Sequence, residues 1–291
     1  MNQALNQMED TLEDLPVAKK AIAFVLLSIV GILVYTLAGY NYFMDSGTRL
    51  IVRVIVPIVL ACALFILKKT GRDAWFSIIL TYFSVSVGFL AAHILGTWYR
   101  LIPGLSLNTI QGISIAKFAE VLPILVAVIV LGLFVRSNLH EMKLRGGNIS
   151  LSMKLGVYAL PLSYVAFLLS GGAIVTVTDT AFLIAIPWLL LFALSNALME
   201  ELIFRGIFLD KLKQLFGERF ALIQTSVIFG LFHVGILQTT GTEIIIVFTI
   251  FIMILGLAWG YIVQKSDSIW GAVFTHAIAD ILAVSVVLGL L

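Results

Sequence analysis

Apolar runs of about membrane-span length follow one another along almost the whole chain, near residues 19–40, 49–67, 74–96, 112–135, 154–172, 180–204, 219–237, 243–264 and 268–290. A hydrocarbon core about 30 Å thick is crossed by roughly 20 helical residues, so runs of this length read as transmembrane helices. The expected fold is an all-α, polytopic transmembrane helical bundle. The fifth run contains Pro161 and Ser163 and ends in a Gly171–Gly172 pair, which predicts a kinked, short or partly interfacial helix and sets the span count at eight to nine. With 61% hydrophobic and 12% charged residues and a mean hydropathy of +1.10, the composition excludes a soluble domain surface. The spans leave no room for a separate soluble catalytic domain.

The basic residues between the spans set an orientation. Lys19 and Lys20, then Lys68, Lys69 and Arg72, then Arg136, Lys143 and Arg145, then Arg205, Lys211, Lys213 and Arg219, then Lys265 fall on one side under alternating topology. Arg49 and Arg100 fall on the other, which has no basic residue in 171–180 or 238–242. The positive-inside rule makes the first side cytoplasmic and places the N terminus there. The formal net charge is only +2 and nothing in its distribution suggests nucleic acid, so the expected partners are the lipid bilayer and a peptide or protein substrate at the membrane. Cys62 is the single cysteine, which excludes an intramolecular disulfide and a multi-cysteine metal site. Met1 to Leu15 carries Glu9, Asp10, Glu13 and Asp14, unlike the basic opening of a cleaved signal peptide, so the first helix is expected to direct insertion itself.

Three polar islands interrupt the last third of the chain. Ionisable side chains at membrane depth persist mainly where they face a bundle interior and act there. The first island is Glu200, Glu201 and Arg205, at the predicted cytoplasmic end of the sixth span. Glu201 and Arg205 are four apart on one helical face and suit an ion pair. Glu200 points about 100° away, lacks a local cation and is free to face the interior as a general base. The second island is Phe229 and His233, again four apart, so that Phe229 packs on the imidazole; neighbouring Gly230 permits close helix approach. The third is His276 and Asp280, where the carboxylate holds the ring and selects its tautomer, or both side chains ligate one centre. Trp270 reads as an interface anchor. Lys117 and Glu120, three apart on the fourth span, read as a structural ion pair, and His93 as an interfacial or hydrogen-bonded side chain.

In order, spacing and helical placement, Glu-Glu-x-x-x-Arg (Glu200, Glu201, Arg205), Phe-x-x-x-His (Phe229, His233) and His-x-x-x-Asp (His276, Asp280) resemble the CAAX protease and bacteriocin-processing family of intramembrane endopeptidases. The resemblance covers about 180–290 as a protease domain and leaves 1–150 as N-terminal spans of a variable kind. It implies a cavity opening towards the cytoplasm, in which Glu200 and His233 activate a water, His276 and Asp280 face the oxyanion, and Arg205 supports Glu201. The implied reaction is hydrolysis of a peptide bond in a hydrophobic, lipidated or CAAX-like substrate near the cytoplasmic leaflet. Relatives of the eukaryotic CAAX protease tend to have Asn where this chain has Asp280, and an ionised Asp cannot donate to an oxyanion. The His-Glu-x-x-His signature of zinc proteases is missing, so no cofactor is favoured. A zinc ion held by His233, His276 and Glu200 or Asp280 is also chemically reasonable. Two other functions are compatible with the residues: a catalytically idle immunity or scaffold protein that keeps the motif by descent, and a proton-coupled transporter. No internal repeat supports the second.

Overall fold

The structure is a computed structural model that describes residues 16–40, 44–134, 138–169, 180–235 and 242–287. The acidic N-terminal segment, Arg136, the Gly171–Gly172 pair and the 238–241 connection lie outside the described residues. Within the described residues, every apolar run becomes a helix. These are α1 (Val17–Gly31, continued as a π-helical stretch Ile32–Gly39), α2 (Ser46–Lys69), α3 (Asp73–Leu95), α4 (Ile110–Phe134) and α5 (Ile149–Leu169). They are followed by α6 (Thr180–Glu201, continued as a π-helical stretch Leu202–Phe208), α7 (Leu209–Phe216), α8 (Glu218–Val234), α9 (Thr242–Ser266) and α10 (Trp270–Val287). Among the described residues, six helical stretches are long and apolar enough to cross a membrane, and Ile149–Val165 and Trp270–Val286 are shorter apolar helices. The helices pack into one bundle in which α10 lies between α5 and α6, α4 between α3 and α6, and α8 against α9.

Local chemistry sets the helix ends. Asp45 caps α2 by accepting from the Gly47 and Thr48 amides at 2.9 and 3.0 Å, and Lys68 and Lys69 sit in its last turn, where cations complement the helix dipole. Asn148 caps α5 through the Leu151 amide at 2.9 Å. The proline-containing fifth helix is a full member of the bundle. Its Ser163 hydroxyl donates to the Thr275 carbonyl of α10 at 3.3 Å, and Thr275 returns a bond to the Gly156 carbonyl at 3.0 Å. Gly271 makes this crossing possible, because a Cβ there would overlap the Ser152 carbonyl oxygen.

One feature differs from the sequence expectation and bears on the site. Glu200 and Glu201 do not close a helix: the chain stays helical from Phe182 to Phe216, which puts the glutamates near the middle of a 35-residue rod. Directly after them the rod runs through its π-helical turn, a local widening that often accompanies functional sites. The corresponding stretch of α1 abuts it, with the Tyr35 and Phe204 rings 4.7 Å apart.

Candidate active site

The three islands converge. Asn196 and Glu200 from α6, His233 from α8, Trp259 from α9, and His276 and Asp280 from α10 line one cavity of about 800 Å³. Glu200 sits at its floor, 3% exposed, and its Oε2 has no hydrogen-bond partner within the protein. That oxygen lies 3.6 Å from His276 Nε2 and 4.0 Å from His233 Nε2. These gaps are too long for direct hydrogen bonds and are of the size that a water held about 2.8 Å from each partner would bridge.

Backbone and carboxylate acceptors fix both imidazoles. His233 Nδ1 lies 2.8 Å from the Phe229 carbonyl oxygen, which can only accept, so Nδ1 carries a proton and Nε2 is turned towards Glu200. Phe229 therefore orients His233 through its backbone as well as its ring, whose centroid is 4.7 Å from the imidazole. His276 Nδ1 donates to Glu201 Oε1 at 2.8 Å, and the Trp259 indole stacks on the ring at 4.1 Å and 14°. Sequence spacing assigned that orienting duty to Asp280, whose Oδ1 lies at 3.6 Å from Nε2. Glu201 performs it instead, because its side chain reaches across the bundle to the far edge of the ring. Asp280 accepts from the Asn196 amide at 3.0 Å.

Arg205 and Glu201 form the predicted pair at 2.8 Å, with both side chains wholly buried. The guanidinium lies over the Phe229 ring at 4.2 Å and donates to the Gly256 carbonyl at 3.4 Å. An aromatic enclosure of this kind compensates part of the lost hydration of a buried cation. Gly230 lets α9 approach beside it, since a Cβ there would meet the Met253 side chain and the Thr249 carbonyl.

Lys117 and Glu120 pair at 3.0 Å, as their spacing suggests, and both line the same cavity. Lys117 also donates to the Tyr40 hydroxyl at 3.3 Å. His93 accepts from Arg53 at 3.0 Å in the cavity wall. Trp270 donates to the Leu144 carbonyl at 3.2 Å, tying α10 to the loop before α5. Asn196 and Trp259 join the site from outside the three islands. Asn196 stands four before Glu200 on the same face, a signal that was available; Trp259 lies on a span without any polar island and gave none.

Among the described residues, no group of three His, Cys, Asp or Glu side chains is arranged to hold a metal ion. Against the roughly 3.4 Å that separates donors in a tetrahedral zinc site, Glu200 Oε2 lies 3.6 Å from His276 Nε2 and 4.0 Å from His233 Nε2, and His276 Nε2 lies 3.6 Å from Asp280 Oδ1. Glu201 Oε1 is already shared between Arg205 and His276.

Residues 182–282 match the family model described as Type II CAAX prenyl endopeptidase Rce1-like. Over this stretch the chain is similar to the CAAX protease family. The stretch spans α6 to α10 and contains all three islands, within a multi-pass membrane bundle. Comparisons with curated proteins and with solved structures give no match.

Proposed function

We propose that this protein is an intramembrane endopeptidase that hydrolyses a peptide bond of a hydrophobic, lipidated or CAAX-like substrate through a water activated by Glu200 and His233. The observation that carries this reading is the unpartnered Glu200 Oε2 at the cavity floor, with two oriented imidazole nitrogens at 3.6 and 4.0 Å. In this mechanism the water lies between Glu200 and His233. Glu200 takes a proton as the water oxygen attacks the scissile carbonyl carbon. The carbonyl oxygen becomes an oxyanion and accepts from His276 in its imidazolium form, whose Nδ1 is anchored on Glu201. Glu200 then returns its proton to the leaving nitrogen as the C–N bond breaks, so one water is consumed and one acid and one amine are released. Asn196 holds Asp280 beside the oxyanion site.

The test is cleavage of fluorogenic hydrophobic peptides, with and without a prenylated cysteine, by protein purified in detergent. Glu200→Gln keeps the shape and removes the base, and general-base catalysis contributes about 10²–10⁴-fold, so a loss of that size is expected. Glu200→Gln and His233→Ala variants that both cut at the parent rate would refute the proposal.

A further inference from the structure

Among the described residues, the cavity reaches towards one end of the bundle. The cavity is lined by Gly39 and Tyr40 at the end of α1, Arg49 at the start of α2, and Arg100 and Leu107 in the connection from α3 to α4, and Leu107 is exposed. Beneath the floor the packing is continuous. Phe204, Arg205, Phe208, Leu209 and Leu212, on the same rod as Glu200, are each no more than 2% exposed.

The opposite end is where the lysine- and arginine-bearing turns gather. Lys143 pairs with Asp267 at 2.7 Å and Asp210 at 3.2 Å, which joins the turns before α5, after α6 and before α10. The Trp75 and Phe216 rings, 5.8 Å apart, bring the α2–α3 turn with Lys68, Lys69 and Arg72 to this same end. The Phe24 and Phe220 rings, also 5.8 Å apart, bring the start of α1 and α8 there. The basic turns therefore share one face of the bundle, and the cavity opens on the other.

From this opposition we infer that the cavity opens on the exocytoplasmic side of the membrane, with the N terminus of α1 cytoplasmic. Lysine and arginine in short loops are retained in the cytoplasm, and the face carrying them is the closed one. The inference rests on the endopeptidase reading and specifies its substrate class. The scissile segment belongs to an exported peptide, or to the outer end of a membrane-anchored protein, rather than to the tail of a protein that stays in the cytoplasm. The family resemblance alone implies access from the cytoplasm; the basic turns of this chain oppose it.

Single-cysteine labelling decides the side. In a Cys62→Ser background, Leu107→Cys reports the mouth, Asn108→Cys duplicates it against misfolding of the first, and Gln214→Cys reports the basic face. Spheroplasts and inverted vesicles are treated with a membrane-impermeant maleimide, and reaction of each purified variant in detergent establishes that the thiol is available. The expected result is at least tenfold greater labelling of Leu107→Cys and Asn108→Cys than of Gln214→Cys in spheroplasts, and the reverse in inverted vesicles. The opposite pattern, or equal labelling of both faces, overturns the inference. Labelling does not depend on proteolysis, so adding Glu200→Gln leaves it unchanged, and failure of the endopeptidase reading is seen separately in the cleavage assay.

Discussion

Glu201→Gln separates two duties that one oxygen performs. Glu201 Oε1 receives Arg205 and His276, each at 2.8 Å, and both Glu201 and Arg205 are 0% exposed. The amide keeps an accepting oxygen of the same size but removes the charge, which leaves a buried guanidinium without its counter-ion. Removing one partner of a buried ion pair destabilises by about 3–5 kcal/mol. At about 2–4 °C per kcal/mol for a chain of this size class, that is a fall of about 10 °C in the melting temperature in detergent. A second variant, Glu201→Gln with Arg205→Met, removes both charges while the thioether chain keeps much of the contact with Phe229 and Trp259. Replacing a buried pair by groups of similar volume is often neutral, so most of the lost stability returns. Activity does not return in either variant, because His276 Nδ1 has lost its anionic acceptor and the ring its fixed orientation. Melting by dye fluorescence, paired with peptide cleavage at saturating substrate, reads the two effects apart. If Glu201→Gln melts within about 2 °C of the parent, the ion-pair energetics are refuted; if the double variant regains full turnover, Glu201 does not position His276.

Other outcomes follow from the same geometry. Trp259→Leu removes the stacked face of His276 at 4.1 Å, and a roughly tenfold fall in kcat with little change in KM is expected from steady-state cleavage, since about 1.4 kcal/mol of ring positioning corresponds to a factor of ten. Asp280→Asn keeps an oxygen for the Asn196 amide and turns an N–H₂ towards the cavity, so cleavage stays within about tenfold of the parent, whereas Asp280→Leu strands Asn196 and loses more. Dialysis against a chelator, followed by metal analysis, leaves turnover unchanged if the Glu200–His233 water is sufficient. On the basic face, burial lowers the Lys143 pKa, but Asp267 and Asp210 outweigh it and hold the ammonium above its ordinary 10.5. A raised folded-state pKa contributes stability that is fully present below the unfolded value and is lost as pH rises through the folded one. The melting gap between the parent and Lys143→Met is therefore constant from pH 7 to about 10 and closes above that.

The helices were legible because lipid selects for uninterrupted apolar runs, and each run marks one segment. Helical spacing also gave the Glu201–Arg205 and Lys117–Glu120 pairs, since residues three or four apart are neighbours by geometry alone. The partner of His276 Nδ1 was not legible. Glu201 is 75 positions away on another helix, and only the crossing of α6 and α10 brings it within 2.8 Å. The nearer candidate by spacing, Asp280, lies on the Nε2 side of the ring. Nor did spacing show that the sixth run continues to Phe216. Arg205 and Gly206 suggest a helix end when read as polar and flexible breaks, yet both are buried, and Gly206 packs closely against the Met142 carbonyl.

The adjacent glutamates show how one helix supplies two different carboxylates. Successive side chains on a helix diverge by about 100°, so Glu200 faces the cavity while Glu201 enters the enclosure of Arg205, Phe229 and Trp259. Glu201 there gives up its freedom to hold Arg205 and His276, and the orientation of His276 in turn defines one side of the space above Glu200. Exchanging the two roles would require turning α6 by about 100°. That turn would remove Asn196, four residues before Glu200, from Asp280. The π-helical stretch begins only after both glutamates, so the register from Asn196 to Glu201 remains α-helical and the division between them is set by that register. Inserting one alanine after Asn196 rotates the pair relative to it and is expected to abolish cleavage. Inserting the alanine after Phe216, in the turn before α8, leaves the α6 register intact and should preserve cleavage. Equal activity of the two insertions in the peptide assay would show that the α6 register does not assign the roles.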